Sequence, residues 1–175
     1  MEKNLFTFLF ILGLMGFPCL TRAQSITGTQ TIRKAALVRI GGEVTQPFTL
    51  NDVEFNAFKK TSVHRKDKDG NNHIYSGAVL SDILLKAGAT LGKDLKGGNL
   101  NKCLLVEAID GYQVVFALAE LDQAFTDRII ILANEMDGKP LPVADGQFRI
   151  IVQDEKKPAR CIKQVVGMYV KSNVR

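Results

Sequence analysis

Hydrophobic positions change their period twice between Leu104 and Phe125, and the rest of the chain is organised around that stretch. Leu104, Leu105 and Val106 form an apolar run, Asp110-Gly111 is a two-residue turn signal, and Tyr112 to Phe116 is β-rich, so the pattern predicts a hairpin. Leu118, Leu121 and Phe125 then fall at spacings of three and four, with Glu120, Asp122 and Gln123 pointing elsewhere. That spacing predicts a half-buried helix directly after the hairpin.

Taken in order, Ala35 to Ile40 reads as a strand ended by Gly41-Gly42. Thr49 to Asp52 then offers side chains that can cap a short helix reaching about Phe58, with Val53, Phe55 and Phe58 as its buried residues. Thr61 to Arg65 and His73 to Tyr75 form a second hairpin across the polar turn Asp67 to Asn72. Leu80, Ile83, Leu84 and Ala87 recur at helical spacing, and Gly88 stands where a left-handed cap belongs. Thr90 to Asn101, rich in Gly and Lys, reads as a loop. Arg128 to Ala133 has the apolar, β-branched character of an interior strand. Asp137-Gly138 and Asp145-Gly146 are turns, Pro140 and Pro142 interrupt any ladder between them, and Phe148 to Val152 and Ala159 to Val170 close the chain as β-rich sequence. About seven to nine strands and three short helices without regular strand–helix alternation predict an α+β domain, a mixed β-sheet with short helices.

Composition changes this picture at the N-terminus. Of 175 residues 46% are hydrophobic and 23% charged, enough for one globular domain. Residues 1–23 stand apart: Lys3, the apolar run Leu5 to Leu14, Pro18 and the small-residue site Thr21-Arg22-Ala23 read as a signal peptide. The run is shorter than the roughly 20 apolar residues of a membrane span, so cleavage near Ala23 and a periplasmic or secreted product, without a transmembrane anchor, are expected. Cys19 follows Phe17-Pro18 rather than small residues, which argues against lipidation. Residues 24–34 read as a flexible leader and 35–175 as the domain.

Loss of Glu2, Lys3 and Arg22 would take the formal charge from +5 to +4. That balance, without basic residues interleaved with aromatics, gives nucleic-acid binding little support. Cys103 and Cys161 remain after processing and could form one disulfide in an oxidising compartment, or act as small buried hydrophobes.

Candidate chemistry is sparse. Asp110 and Tyr112 flank Gly111 and could line a pocket, although turn formation by Asp-Gly with Tyr112 packed on the sheet is enough to account for them and is the favoured reading. Glu120 and Asp122 read as a solvated helix face near the hairpin. A carboxylate pair does acid/base work only where its environments split the two pKa values. Arg160 and Lys163, on the expected final strand, would point to opposite faces. Arg160 is the better anion hook, its alternative being a salt bridge to Glu120 or Asp122. His64 and His73 could approach across their hairpin, but two histidines beside Asp67 and Asp69 make a poor metal site, and no metal is expected. No Gly-x-Ser-x-Gly, His-Glu-x-x-His, Walker-type or Cys-x-x-Cys motif occurs.

The order of several segments resembles the molybdopterin-binding domain of the sulfite oxidase-like oxidoreductases. YSGAVLSDILLKAGA (Tyr75 to Ala89) is similar to that family's aromatic-x-Gly-x-x-Leu-x-x-Leu-Leu-x-x-Ala-Gly segment. VEAIDGYQVVFALAELD resembles its Asp-Gly-Tyr hairpin, NEMDGKPLPVADGQFRIIV its Asp-Gly-x-Pro-Leu turn and Gly-Pro-x-Arg strand, and ARCIKQV its closing basic strand. The resemblance implies the sulfite oxidase-like fold and, with it, a molybdopterin cofactor and oxidoreductase chemistry. Catalytic members carry a molybdenum-ligating cysteine on the strand before the aromatic-Gly segment; here that strand reads Thr61-Ser62-Val63-His64-Arg65-Lys66, and an imidazole from His64 is no equivalent of a thiolate. The expected product is therefore an exported, oxidoreductase-like domain of the compact branch lacking that cysteine, acting as a binding or accessory module for a small anionic ligand or a redox partner protein. The alternative is a molybdopterin-dependent oxidoreductase with unusual cofactor ligation.

Overall fold

The computed structural model describes residues 37–172; the expected signal peptide and leader lie outside the described residues. In chain order the elements are β1 (Val38–Gly42), β2 (Phe48–Leu50), α1 (Asp52–Asn56), β3 (Lys60–Lys66), β4 (Asn72–Val79), α2 (Leu80–Lys86), β5 (Lys102–Ala108), β6 (Gln113–Ala117), β7 (Ile130–Met136), β8 (Lys139–Pro140), β9 (Arg149–Val152) and β10 (Val165–Ser172). Five short 3-10 segments sit in the connections among the described residues. The strands form two mixed or antiparallel sheets, ordered β2-β1-β10-β5-β6 and β3-β4-β7-β8, with β9 also pairing β7. The α+β class holds.

Sequence dictates the elements locally. Asn51 caps α1, its Oδ1 accepting from the Glu54 amide at 3.0 Å. α2 ends as Gly88 anticipates: with φ +73 at Gly88, the Ala89 amide reaches the Leu84 carbonyl and the Gly88 amide that of Leu85, a Schellman closure. The hairpin β5–β6 has a three-residue loop rather than two. Gly111 donates back to the Ala108 carbonyl and Ala108 to that of Tyr112, with φ +83 at Gly111.

The inner faces of the two sheets and one side of α2 share the main core, including Phe55, Leu80, Leu84, Leu104, Phe116, Leu132 and Met168. A smaller cluster of Val63, Tyr75, Ile131, Ala133, Leu141 and Ile151 covers the other side of the second sheet, so β7 and β9 are buried on both faces. Continuous apolar runs in both strands follow from that.

Three expectations about the elements fail. The helix after Leu118 does not form: one 3-10 turn, Leu118–Glu120, is followed by irregular chain, and Phe125 is 50% exposed. Asp122 instead folds its carboxylate onto the Ala124 amide two residues on and the Gly92 amide of a distant loop, and starts a turn there. Val53 is 81% exposed, leaving Phe55 to anchor α1. Arg160 and Lys163 are not on a strand; Arg160 ends the turn Pro158–Arg160, and β10 begins only at Val165. Of the two alternatives for Cys103 and Cys161, free thiols are the one present, with Cys161 buried and Cys103 half-buried. No helix among the described residues is long and apolar enough to cross a membrane.

Candidate functional site

A cleft of about 630 Å³ opens where four segments meet: Asp67 to His73 between β3 and β4, the β5–β6 tip at Asp110 and Tyr112, Pro142 to Asp145, and Pro158 to Gln164. Its volume suits a small molecule. Tyr112 holds two of these pieces together, its hydroxyl donating to the Ala159 carbonyl at 3.1 Å while its amide donates to Asp110 Oδ1 at 3.0 Å.

The cleft has a charged, buried floor. Strand β9 places Arg149 at 5% exposure, and its Nη1 donates to Tyr75 Oη at 2.8 Å and Asp145 Oδ2 at 2.9 Å, with Asp67 Oδ2 at 3.4 Å. Tyr75 in turn donates to Asp67 Oδ2 at 2.5 Å. Arg65, opposite on β3, gives Nη1 to the carbonyls of Val152 and Glu155, with its Nε 3.3 Å from Asp67 Oδ1. Burial pushes the Tyr75 hydroxyl well above the ordinary range, with the Asp67 hydrogen bond adding to it, so the phenol stays protonated, accepting from Arg149 while donating to Asp67. Burial opposes the charge on Arg149, but Tyr75, Asp145 and Asp67 outweigh it and hold the guanidinium charged. The Nε of Arg149 is buried with no hydrogen-bond partner.

At the rim His73 sits between two carboxylates, with Nδ1 2.6 Å from Asp137 Oδ2 and Nε2 3.0 Å from Asp69 Oδ2. The hydrogen bonds to Asp137 and then Asp69 raise its pKa to about 9, so it is an imidazolium at neutral pH. The His73 hydrogen bond in return lowers Asp69 to about 2. With both ring nitrogens taken, His73 has no lone pair for a metal. Among the described residues no three His, Cys, Asp or Glu side chains are placed to hold one.

The residues singled out from sequence are scattered by the fold. Asp110 and Tyr112 line the cleft. His64 does not: it pairs with Ile74 while His73 pairs with Arg65, so the two histidines lie on opposite faces of their hairpin, and His64 borders a separate polar groove with Lys66 and Asp154. Glu120, Asp122 and Arg160 stand outside the cleft. Arg160 is engaged by Glu120 Oε2 at 2.8 Å and bidentately by Glu155 at 2.9 and 3.1 Å, over the ring of Phe116, so the salt-bridge alternative is the one present. Asp122, expected on a solvated face, is 6% exposed. Sequence reasoning missed Asp67, Tyr75, Asp145, Arg149, Cys161 and Lys163 as neighbours. One signal was available, a single arginine inside an apolar β run at Phe148 to Val152.

By sequence the chain matches no protein-family model and no curated protein. Among solved structures it is similar to the sulfane dehydrogenase SoxCD from Paracoccus pantotrophus, with a TM-score of 0.61 and 18% identity, over 79% of this chain and 39% of that one. The chain therefore spans about two fifths of that neighbour's length, and at this identity the likeness shows the fold alone.

Proposed function

We propose that this chain is an exported binding or accessory module on the sulfite oxidase-like molybdopterin-binding fold, holding a small molecule in the cleft without molybdenum chemistry. The motif order in the sequence supports the family and the SoxCD likeness supports the fold; export rests on the N-terminal pattern alone. The observation that carries the reading is the donor set of the cleft. Strand β3 turns Val63 and Arg65 inward and offers no sulfur. Arg65 and Arg149 spend their charge on carbonyls and carboxylates of the chain itself, whereas a pterin phosphate would need convergent free donors. Cys161 does line the cleft, but it is buried and burial pushes its thiol up, away from the thiolate a metal requires. Cys103 is on β5, outside the cleft. These residues do not fit a molybdenum pterin.

The test is elemental analysis for molybdenum, with pterin fluorescence after oxidation, on mature protein from its native compartment. Neither is expected. About one metal and one pterin per chain would overturn the reading and make Cys161 the first ligand to mutate.

A further inference from the structure

We propose that Asp145 is a built-in counter-anion: it occupies, from within the chain, an anion site made by Arg149 and Lys163, so the cleft turns away oxyanions and takes a ligand without net charge. This rests on the reading that the cleft is the ligand site, and it names the class of ligand.

Asp145 is 4% exposed and divides its two oxygens between two cations, Oδ2 at 2.9 Å from Arg149 Nη1 and Oδ1 at 2.5 Å from Lys163 Nζ. A bound carboxylate or phosphate would be gripped in the same manner. The carboxylate is held in place by its own backbone. The turn Val143–Asp145 is closed by the Gly146 amide on the Val143 carbonyl, and the Asp145 carbonyl accepts the Gln164 amide at 2.9 Å. Gly146 has φ +75, and a Cβ there would stand 2.9 Å from the Gln164 side chain, so the turn is tied to the strand entry it packs against. On the other side of Arg149, Asp67 approaches the same Nη1. An incoming oxyanion would meet two fixed carboxylates at the guanidinium it seeks.

The rest of the lining agrees. Its acids are Asp67, Asp69, Asp110 and Asp145; its cations are Lys68, Arg149, Lys163 and the protonated His73, so the signs cancel. Two of these charges take part in no ion pair among the described residues, Lys68 on the β3–β4 turn and Asp110 on the β5–β6 tip, one of each sign on separate segments. A zwitterion can use both, and an uncharged polar molecule offends neither.

The experiment is calorimetric titration of inorganic phosphate into mature, metal-free wild-type protein and into Asp145→Asn, which keeps the shape and removes the charge. Wild type should give no measurable binding at millimolar phosphate, and Asp145→Asn should bind at least tenfold more tightly than that limit. Adding Lys163→Met should abolish the gain. Phosphate binding by wild type as tight as by the variant, or no gain in a variant that melts cooperatively, overturns the proposal. If Asp145→Asn does not fold, thermal melting of wild type decides: no upward shift with phosphate supports the proposal, and a concentration-dependent shift overturns it. Phosphate binding by pterin-free wild type would sink this inference while leaving the binding-module reading intact.

Discussion

A methyl group on Gly77 would stand 2.0 Å from the carbonyl oxygen of Leu132 and 2.6 Å from the Cα of Ala133. The two backbones touch because the β4–β7 ladder shifts register between Ser76 and Gly77, just before β4 hands over to α2. The glycine of the aromatic-x-Gly segment is thus required for space between strands, and its φ is not positive. Gly77→Ala should cost about 1–3 kcal/mol as an overpacking change. Urea denaturation should show the midpoint falling with unchanged slope; an unaltered midpoint would mean the strands separate easily there.

The His73 clamp gives a pH dependence with a definite sign. Its folded pKa is raised to about 9, chiefly by Asp137 and then Asp69. The stabilisation is fully present below the unfolded histidine value of about 6.5 and is lost as pH rises through about 9. Between pH 7 and 10 the melting temperature should fall by an amount worth roughly 0.5–1 kcal/mol, the scale of solvent-screened pairs. His73→Gln should flatten that slope, and an identical slope in the variant would assign it to other groups.

Arg160 is held by Glu155 and Glu120 and lies over Phe116 at 4.8 Å. Arg160→Ala should therefore lower stability by about 1–2 kcal/mol through lost charge-assisted bonds and stacking. Binding of whatever ligand the cleft takes should not change. A variant of wild-type stability with weakened binding would restore Arg160 as a ligand contact.

Cys103 and Cys161 should both titrate as thiols in the unfolded, unreduced protein. In the native protein a charged thiol reagent should reach half-buried Cys103 first. Cys161, 4% exposed and with its thiol pushed up by burial, should lag by at least about tenfold. Equal rates at the two positions would show that the cleft wall opens readily.

Local chemistry made much of the fold legible. Asn51, Gly88, Gly111 and the Asp137-Gly138 pair act within a few residues of themselves, so caps and turns announce caps and turns. The helix after Leu118 was misread for a complementary reason. Its apolar spacing was right, but the Gly92 amide that draws in the Asp122 carboxylate comes from a loop 30 residues away in sequence.

The candidate site was legible only in part, at Asp110 and Tyr112, because the hairpin that carries them forms from neighbours. Its floor is made of Asp67, Tyr75, Asp145 and Arg149, and Asp67 and Arg149 are 82 residues apart in the chain. By itself the sequence determined the caps and turns, most of the strands, the α+β class and the absence of a cysteine on β3, since periodicity, turn chemistry and residue identity are properties of short stretches. Tertiary structure alone decided which carboxylates meet which arginines. A buried charge takes whatever partner the sheet pairing of β3, β4, β7 and β9 brings within hydrogen-bond reach, and that pairing links segments no local pattern connects.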